Sequence, residues 1–200
     1  MQVRIMFQQF DADRDGALTK DEVPGPAWER LSAADADEDG IVTQAEAAAS
    51  DQMRRFSRQH GVIEELVHDV FVEAFVILKS YRSRGPFLHW LRKIAVRTGY
   101  RYWKRRSREQ STFQSLSEIH DGLEQLVDGV EPSPIWASEM LGDLLDRLGP
   151  RDRLVLTLLY WDGCSVAEAA ELAGWSQTIV KVQAYRARQR LKRLIEEARR

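Results

Sequence analysis

Residues 165–188 read Ser165-Val-Ala-Glu168-Ala-Ala170-Glu-Leu172-Ala-Gly174-Trp175-Ser176-Gln177-Thr178-Ile-Val180-Lys181-Val182-Gln-Ala184-Tyr185-Arg186-Ala187-Arg188. Ser165 with Glu168 three residues on is a capping box, and it opens a helix from Val166 to Ala173. Gly174-Trp175-Ser176 turns the chain, and Ser176 caps a second, longer helix. Val180, Ala184, Ala187, Leu191 and Leu194 recur at helical spacing along it, which makes them its buried stripe. Helix, glycine-containing three-residue turn, helix is the helix-turn-helix pattern. The second helix then presents Gln177, Thr178, Lys181 and Tyr185 outward, with Arg186 and Arg188 behind them. Residues at the start of such a helix suit base edges, and the flanking cations suit phosphates.

Working back from this motif, Ile135 to Leu148 has helical spacing and stops at Gly149-Pro150, and Arg151 to Tyr160 forms another helix with Leu154, Val155, Leu158 and Leu159 inward. Residues 109–135 are rich in Ser, Gln, Glu and Asp and close on Pro132 and Pro134, which reads as a linker with at most one weak helix. The C-terminal domain is therefore expected over residues 136–200.

Residues 82–108 carry ten Arg and Lys and no Asp or Glu. A turn from Arg82 through Arg84 to Pro86 leads into a helix, Phe87 to Arg106, with Trp90, Leu91, Ile94 and Ala95 on one face. Arg92, Lys93, Arg97, Arg101, Lys104 and Arg105 line its rim, interleaved with Tyr102 and Trp103. Cations that follow phosphates and rings that stack on bases suit a single nucleic-acid strand. Before it, the apolar residues from Val62 to Leu78 repeat at helical spacing, which predicts a heavily buried helix to about Ser80. These elements form a predicted domain over residues 51–108.

The N-terminal 50 residues hold four basic groups against eleven acidic ones, a net of −7. They contain a twelve-residue unit twice, Asp11-Ala-Asp13-Arg-Asp15-Gly16-Ala17-Leu18-Thr19-Lys-Asp-Glu22 and Asp35-Ala-Asp37-Glu-Asp39-Gly40-Ile41-Val42-Thr43-Gln-Ala-Glu46. Both place carboxylates at positions 1, 3 and 5, Gly at 6, a hydroxyl at 9 and Glu at 12, which is the EF-hand calcium loop. A hard cation takes six to eight oxygens, and alternate residues of a tight loop point inward to supply them. The expected ligands are Asp11, Asp13, Asp15, the Ala17 carbonyl, Thr19 and Glu22 in one loop. In the other they are Asp35, Asp37, Asp39, the Ile41 carbonyl, Thr43 and Glu46. The head is thus expected to bind two Ca2+. Leu18 and Val42, at position 8, are expected to pair the loops across a short strand. Phe7, Phe10, Trp28 and Leu31 are the expected core, and Pro24-Gly25-Pro26 limits the first exiting helix to about one turn. From Thr43 the second exiting helix reads as unbroken to His60, with Gly61 as its stop.

Composition excludes several classes. In 200 residues, 44% are hydrophobic and 30% charged, so the chain buries real cores and is neither a disordered tail nor a collagen. Its longest apolar stretch, Val70 to Leu78, is interrupted by Glu73 and is too short for a membrane span. No basic-then-apolar leader opens the chain, and a cytoplasmic location with no membrane contact is expected. The lone Cys164 excludes an internal disulfide, and His60, His68, His89 and His120 are scattered, so no catalytic cluster is visible and no enzyme is expected. The fold class is all-α.

Asp69-Val-Phe71-Val-Glu-Ala74-Phe75, Leu78-Lys-Ser-Tyr81-Arg82 and Phe87-Leu-His-Trp90-Leu91-Arg-Lys-Ile94-Ala95 resemble region 2 of the extracytoplasmic-function (ECF) class of bacterial RNA polymerase sigma factors. Leu148-Gly-Pro150-Arg-Asp-Arg-Leu-Val155 and the run from Ser165 to Arg188 resemble region 4 of the same class. The resemblance is co-linear and covers about half the chain. It implies that Asp69 and Glu73 lie on a helix that docks on core RNA polymerase. It implies too that the Arg82–Phe87 turn and the following helix melt and hold the −10 promoter element, and that Gln177 to Arg188 read the −35 element. An anti-sigma factor is a compatible partner. Two departures stand out: Arg97 and Arg101 occupy places where the family has Asn and Asp, and the family's first region 2 helix is shortened here.

The acidic head lies outside the usual sigma pattern. With a continuous helix over 43–60, calcium at Asp35–Glu46 would set the angle of a rod that is also a wall of region 2, and the expected direction is activation. The −7 head and the +10 helix attract, and two calcium ions cancel about four of those charges. Two alternatives remain at this level. One is a sigma factor whose calcium sites are purely structural. The other is a helix-turn-helix regulator that acts without core polymerase.

Overall fold

The structure is a computed structural model that describes residues 2–82, 85–114 and 141–198. It divides into two compact units, Met1–Tyr102 and Trp103–Arg200, each treated by itself.

In the first unit, α1 (Gln2–Phe10) precedes the first acidic loop, which ends in β1 (Ala17–Thr19). A turn at Lys20–Glu22 leads to α2 (Gly25–Leu31), begun at Pro24 with Pro26 in its first turn. The first exiting segment is a single turn, with the Val23 N–H donating to the Thr19 carbonyl at 3.3 Å, before Pro24 ends it. A short 3-10 turn, Ser32–Ala34, enters the second loop, which ends in β2 (Ile41–Thr43). The two strands pair antiparallel with Leu18 opposite Val42, both fully buried. Phe7, Leu18, Val23, Leu31 and Val42 form the core of this head, and Phe10 and Trp28 pack on it half-buried.

The helix α3 (Gln44–Met53) begins at Thr43, whose side chain accepts from the Glu46 N–H while the Glu46 carboxylate accepts from the Thr43 N–H, a complete capping box. It ends at Met53, so the expected rod over 43–60 is corrected to a ten-residue helix, a turn at residues 54–56 and a new helix, α4 (His60–Ile77). Past Met53 the helical ladder tightens and ends: the Arg55 N–H donates to the Gln52 carbonyl at 3.2 Å and the Phe56 N–H to the Met53 carbonyl at 2.8 Å, and the turn keeps Met53, Phe56 and Ser57 all buried. Gly61 accordingly lies in the first turn of α4 and stops nothing.

The heavily buried helix expected over 62–80 is instead amphipathic. Ile63, Leu66, Val67, Val70 and Ala74 point inward, whereas Phe75 is 80% and Val76 72% exposed. A 3-10 turn, Leu78–Ser80, follows. The basic helix α5 (Phe87–Gln114) is longer than expected, so residues 109–114, read above as linker, are helical. Leu91, Ile94, Ala95 and Val96 are buried along it. Gly99 sits against the Phe56 ring so closely that a Cβ would lie 2.3 Å from ring carbon Cδ2.

In the second unit, residues 141–146 are helical, and α6 (Pro150–Leu156) continues into a π-helical turn, Thr157–Trp161. The expected helix from Ile135 lies outside the described residues before 141. The helix α7 (Val166–Ala173) starts at the Ser165–Glu168 capping box and stops at Gly174, and α8 (Gln177–Ala198) follows. Val180, Ala184 and Ala187 are buried, and Leu191 and Leu194 half-buried, against a core that includes Leu154, Leu158 and Leu172.

Candidate metal centres and nucleic-acid interface

Each acidic loop folds its carboxylates onto one point. Oxygens of Asp11, Asp13 and Asp15 lie within 4.8 Å of one another, and so do those of Asp35, Asp37 and Asp39. Two like charges near 4–5 Å repel by roughly 1 kcal/mol in water and about four times as much near a protein surface, so three together call for a cation. The backbone holds them there. Arg14 and Glu38 at position 4 are left-handed, with φ of 62° and 58°, and Gly16 and Gly40 at position 6 have φ of 83°, where a side chain would be strained. The Gly16 N–H donates to Asp11 Oδ2 at 3.1 Å and the Gly40 N–H to Asp35 Oδ2 at 2.9 Å. The Ala17 and Ile41 N–H groups donate to Asp15 and Asp39, each at 2.8 Å.

Position 12 closes each loop from the far side. Glu22 accepts from the Ala12 N–H at 3.1 Å and the Thr19 N–H at 3.0 Å; Glu46 accepts from the Ala36 N–H at 3.0 Å and the Thr43 N–H at 2.9 Å. The Thr19 N–H and hydroxyl hold the Glu22 carboxyl below its ordinary value, in its charged form. Asp11 Oδ1 is buried without a hydrogen-bond partner. A buried anionic oxygen facing two further carboxylates has the environment of a metal ligand. The donor set, all hard oxygens with no sulfur or imidazole, fits calcium.

The basic helix presents its predicted residues unequally. Arg82, Arg97, Lys104 and Arg105 are exposed, Lys93 and Tyr102 half-buried, and Arg84 lies outside the described residues. The half-buried Arg92 donates from Nε to Gln52 Oε1 at 3.1 Å. Trp103, expected above to stack on a base, is 4% exposed, and a ring so buried has no face to offer one. Arg101 pairs with Glu73 of α4, Nη1 to Oε1 at 3.1 Å, so neither is the isolated charge that the sequence displays. That pair holds the Glu73 carboxyl below its ordinary value and raises Arg101. Asp69 remains exposed on α4.

One feature of this unit escaped sequence reasoning. Tyr81, Phe87 and Trp90 cluster with ring centroids 5.2–5.7 Å apart, and the Tyr81 hydroxyl donates to the Gly85 carbonyl at 2.8 Å. The three rings bracket the Arg82–Pro86 turn, and aromatics on both sides of a basic turn were the available signal.

On α8, Gln177, Thr178, Lys181, Tyr185, Arg186 and Arg188 are all exposed, with Tyr185 at 59%. The Arg188 guanidinium donates to the Tyr160 hydroxyl at 3.0 Å. Behind this surface Asp152 of α6, 1% exposed, bonds Gln183 and Arg190 of α8. Sequence reading missed this anchor, because a lone Asp in a charged run carries no mark of burial.

Comparison with known proteins assigns the two bodies. Family models for "Sigma-70 region 2" and "Sigma-70, region 4" match residues 50–109 and 138–191, and one for "EF hand" matches residues 3–23. The RNA polymerase sigma factor YlaC of Bacillus subtilis is 30% identical over 151 residues, 72% of this chain and 84% of that protein. The chain belongs to the sigma-70 family, in its ECF class. The ECF RNA polymerase sigma factor SigF of Caulobacter vibrioides is 31% identical over 148 residues, 74% of this chain and 77% of the relative. The solved structure of CnrH in complex with the cytosolic domain of CnrY shares the fold, with a TM-score of 0.50 at 21% identity over 86% of this chain and 87% of that one.

A sigma factor directs RNA polymerase to promoters, and that is the function of this chain. The sigma region 2 match begins at residue 50, so it takes in the last four residues of α3, the helix that starts at the second acidic loop. Among the described residues of this sigma factor, no helix is long and apolar enough to cross a membrane.

Proposed function

We propose that this sigma factor is calcium-responsive: its N-terminal EF-hand pair binds two Ca2+, and occupancy favours the form that engages core RNA polymerase and promoter DNA. The observation that carries this reading is the pair of convergent carboxylate clusters, one of them with the buried, unpartnered Asp11 Oδ1. The first site would be held by Asp11, Asp13, Asp15, the Ala17 carbonyl, Thr19 and Glu22, and the second by the matching set from Asp35 to Glu46. Bound calcium supplies positive charge where three aspartates crowd each other in each loop.

The exposed face of α8, Gln177 to Arg188, reads the −35 element by its first residues and holds phosphates with its arginines. The exposed cations of α5 and the turn before it hold the −10 strand. Asp69 offers polymerase an exposed carboxylate, whereas Glu73 acts through its pair with Arg101. Core polymerase, in the cytoplasm, performs the chemistry and this chain is no enzyme. An anti-sigma factor is a further proposed partner.

Carrying an equilibrium from 1:99 to 99:1 needs roughly 5.5 kcal/mol of differential binding, or about 100-fold preference per ion when two ions share it. The test is transcription in vitro from a cognate promoter with core enzyme, in calcium and in chelator. Higher transcript yield in calcium is expected. Equal yields end the regulatory reading and leave the sigma assignment standing.

A further inference from the structure

The two loops close on different things. Glu22 sits in a turn, and the chain after it bends at Val23 and starts α2 at Pro24 without using Glu22 as a cap. Glu46 is the third residue of α3, 6% exposed, and its carboxylate joins the start of its loop, at Ala36, to the start of the helix, at Thr43. An ion that takes both oxygens of either glutamate competes with those N–H groups for them. In the first loop the consequence ends in a turn. In the second it falls on the capping box of a helix.

That helix is tied to the basic one at its other end. Gln52 of α3, 6% exposed, accepts from Arg92 of α5. The turn just after α3 puts the buried Phe56 ring against Gly99 of α5, with no room even for a methyl group. Well-packed contacts of this kind transmit displacement because they have no slack to absorb it. The path from Glu46 to α5 is therefore one short helix with a cap at one end and a hydrogen bond and a ring contact at the other.

We infer that the loops are unequal: the second, through Glu46 and α3, reports its ion to the promoter-holding helix α5, while the first only steadies the head through the Leu18–Val42 strand pair. The inference rests on the calcium reading above. It replaces a rigid rod by a ten-residue lever, and it divides the sites into one sensor and one support.

The full chain with Glu22→Gln or Glu46→Gln is compared with wild type by calorimetry in calcium and by hydrogen–deuterium exchange over residues 87–102, in calcium and in chelator. Wild type is expected to bind two ions and to show calcium-dependent exchange in α5. Glu22→Gln is expected to keep at least half of that difference, and Glu46→Gln to lose it. Should Glu46→Gln fail to fold, Asp13→Asn and Asp37→Asn make the same comparison, since both carboxylates are exposed and cap no helix. Equal responses of the two loop variants, or loss with the first loop alone, overturn the inference. Two ions bound by wild type with α5 unchanged overturn it while sparing the calcium reading. No calcium bound by wild type removes both.

Discussion

Arg101 of α5 and Glu73 of α4 form a two-pronged ion pair, and Thr98 joins it by donating its hydroxyl to Glu73 Oε2 at 3.2 Å. The pair ties the basic helix to the helix that carries Asp69, and it neutralises one of the ten cations that the sequence places between residues 82 and 108. An arginine here cannot be counted as a free phosphate contact.

The pair sets a pH dependence. The Arg101 guanidinium lowers the folded-state affinity of Glu73 for a proton below its ordinary value of 4.5. The unfolded chain then binds the proton more readily, so the stabilisation is complete above about pH 4.5 and is lost as pH falls through the lower folded value. Glu73→Gln should flatten that part of the acid limb in thermal melts taken below pH 5. The loss at neutral pH should stay under about 1 kcal/mol, because Arg101 is 58% exposed and solvent screens the pair. A variant that melts in acid as wild type does would count against the pair.

Gly99 should tolerate no side chain. A Cβ there meets the root of the Phe56 ring, at 2.4 Å from Cγ, where rotation gives no relief. Gly99→Ala is expected to cost about 1–3 kcal/mol by overpacking. Gly61→Ala, whose Cβ meets nothing within 4 Å, is the control and should leave the denaturation midpoint equal to or above wild type. Equal midpoints for the two variants would contradict the close contact.

Asp152 should matter beyond its size. It is buried and holds Gln183 and Arg190, so it fixes α8 against α6. Asp152→Ala is expected to cost about 1.5–3 kcal/mol, the range for hydrogen bonds to a charged group. Arg190 is 58% exposed and rehydrates, which keeps the loss below that of a fully buried broken pair. Urea denaturation would measure it, and a change under 0.5 kcal/mol would argue that the contact is idle.

Metal removal gives a direct reading of the head. Free calcium at 100 times the dissociation constant of one site adds about 2.7 kcal/mol to a state that alone binds it. Melts of the whole chain should therefore rise with calcium and fall with chelator, and magnesium at equal concentration should do less. Glu22→Gln together with Glu46→Gln should abolish the difference. A calcium-independent melting curve for wild type would exclude specific sites.

Much of the molecule was legible because its signals are local. The Ser165–Glu168 and Thr43–Glu46 capping boxes are four-residue patterns, and each starts a helix where the spacing places it. The buried stripe of α8 follows from helical geometry once Val180 and Ala184 are seen to recur. The two acidic loops repeat a pattern that few other chemistries require, and their position-8 residues Leu18 and Val42 do face each other.

The misreadings share one cause. Met53 and Phe56 have helical spacing and are both buried, yet the helix ends between them in a turn where the Phe56 N–H bonds the Met53 carbonyl. Phe75 and Val76 look like core and are exposed, while Trp103 looks like a stacking surface and is buried. Periodicity says which residues share a face; it does not say what that face meets.

The amino-acid order alone determined the kinds of element, the acidic repeats, the basic helix and the helix-turn-helix, since each depends on neighbours within a few turns of chain. Only tertiary structure decided that α3 stops at Met53, that Arg101 is claimed by Glu73, that Asp152 is buried, and that Glu46 rather than Glu22 stands at the head of a helix locked to α5. Those facts join residues between 25 and 43 positions apart, from Thr98 with Glu73 to Phe56 with Gly99, and no local pattern encodes which distant side chain will fill a given gap or neutralise a given charge.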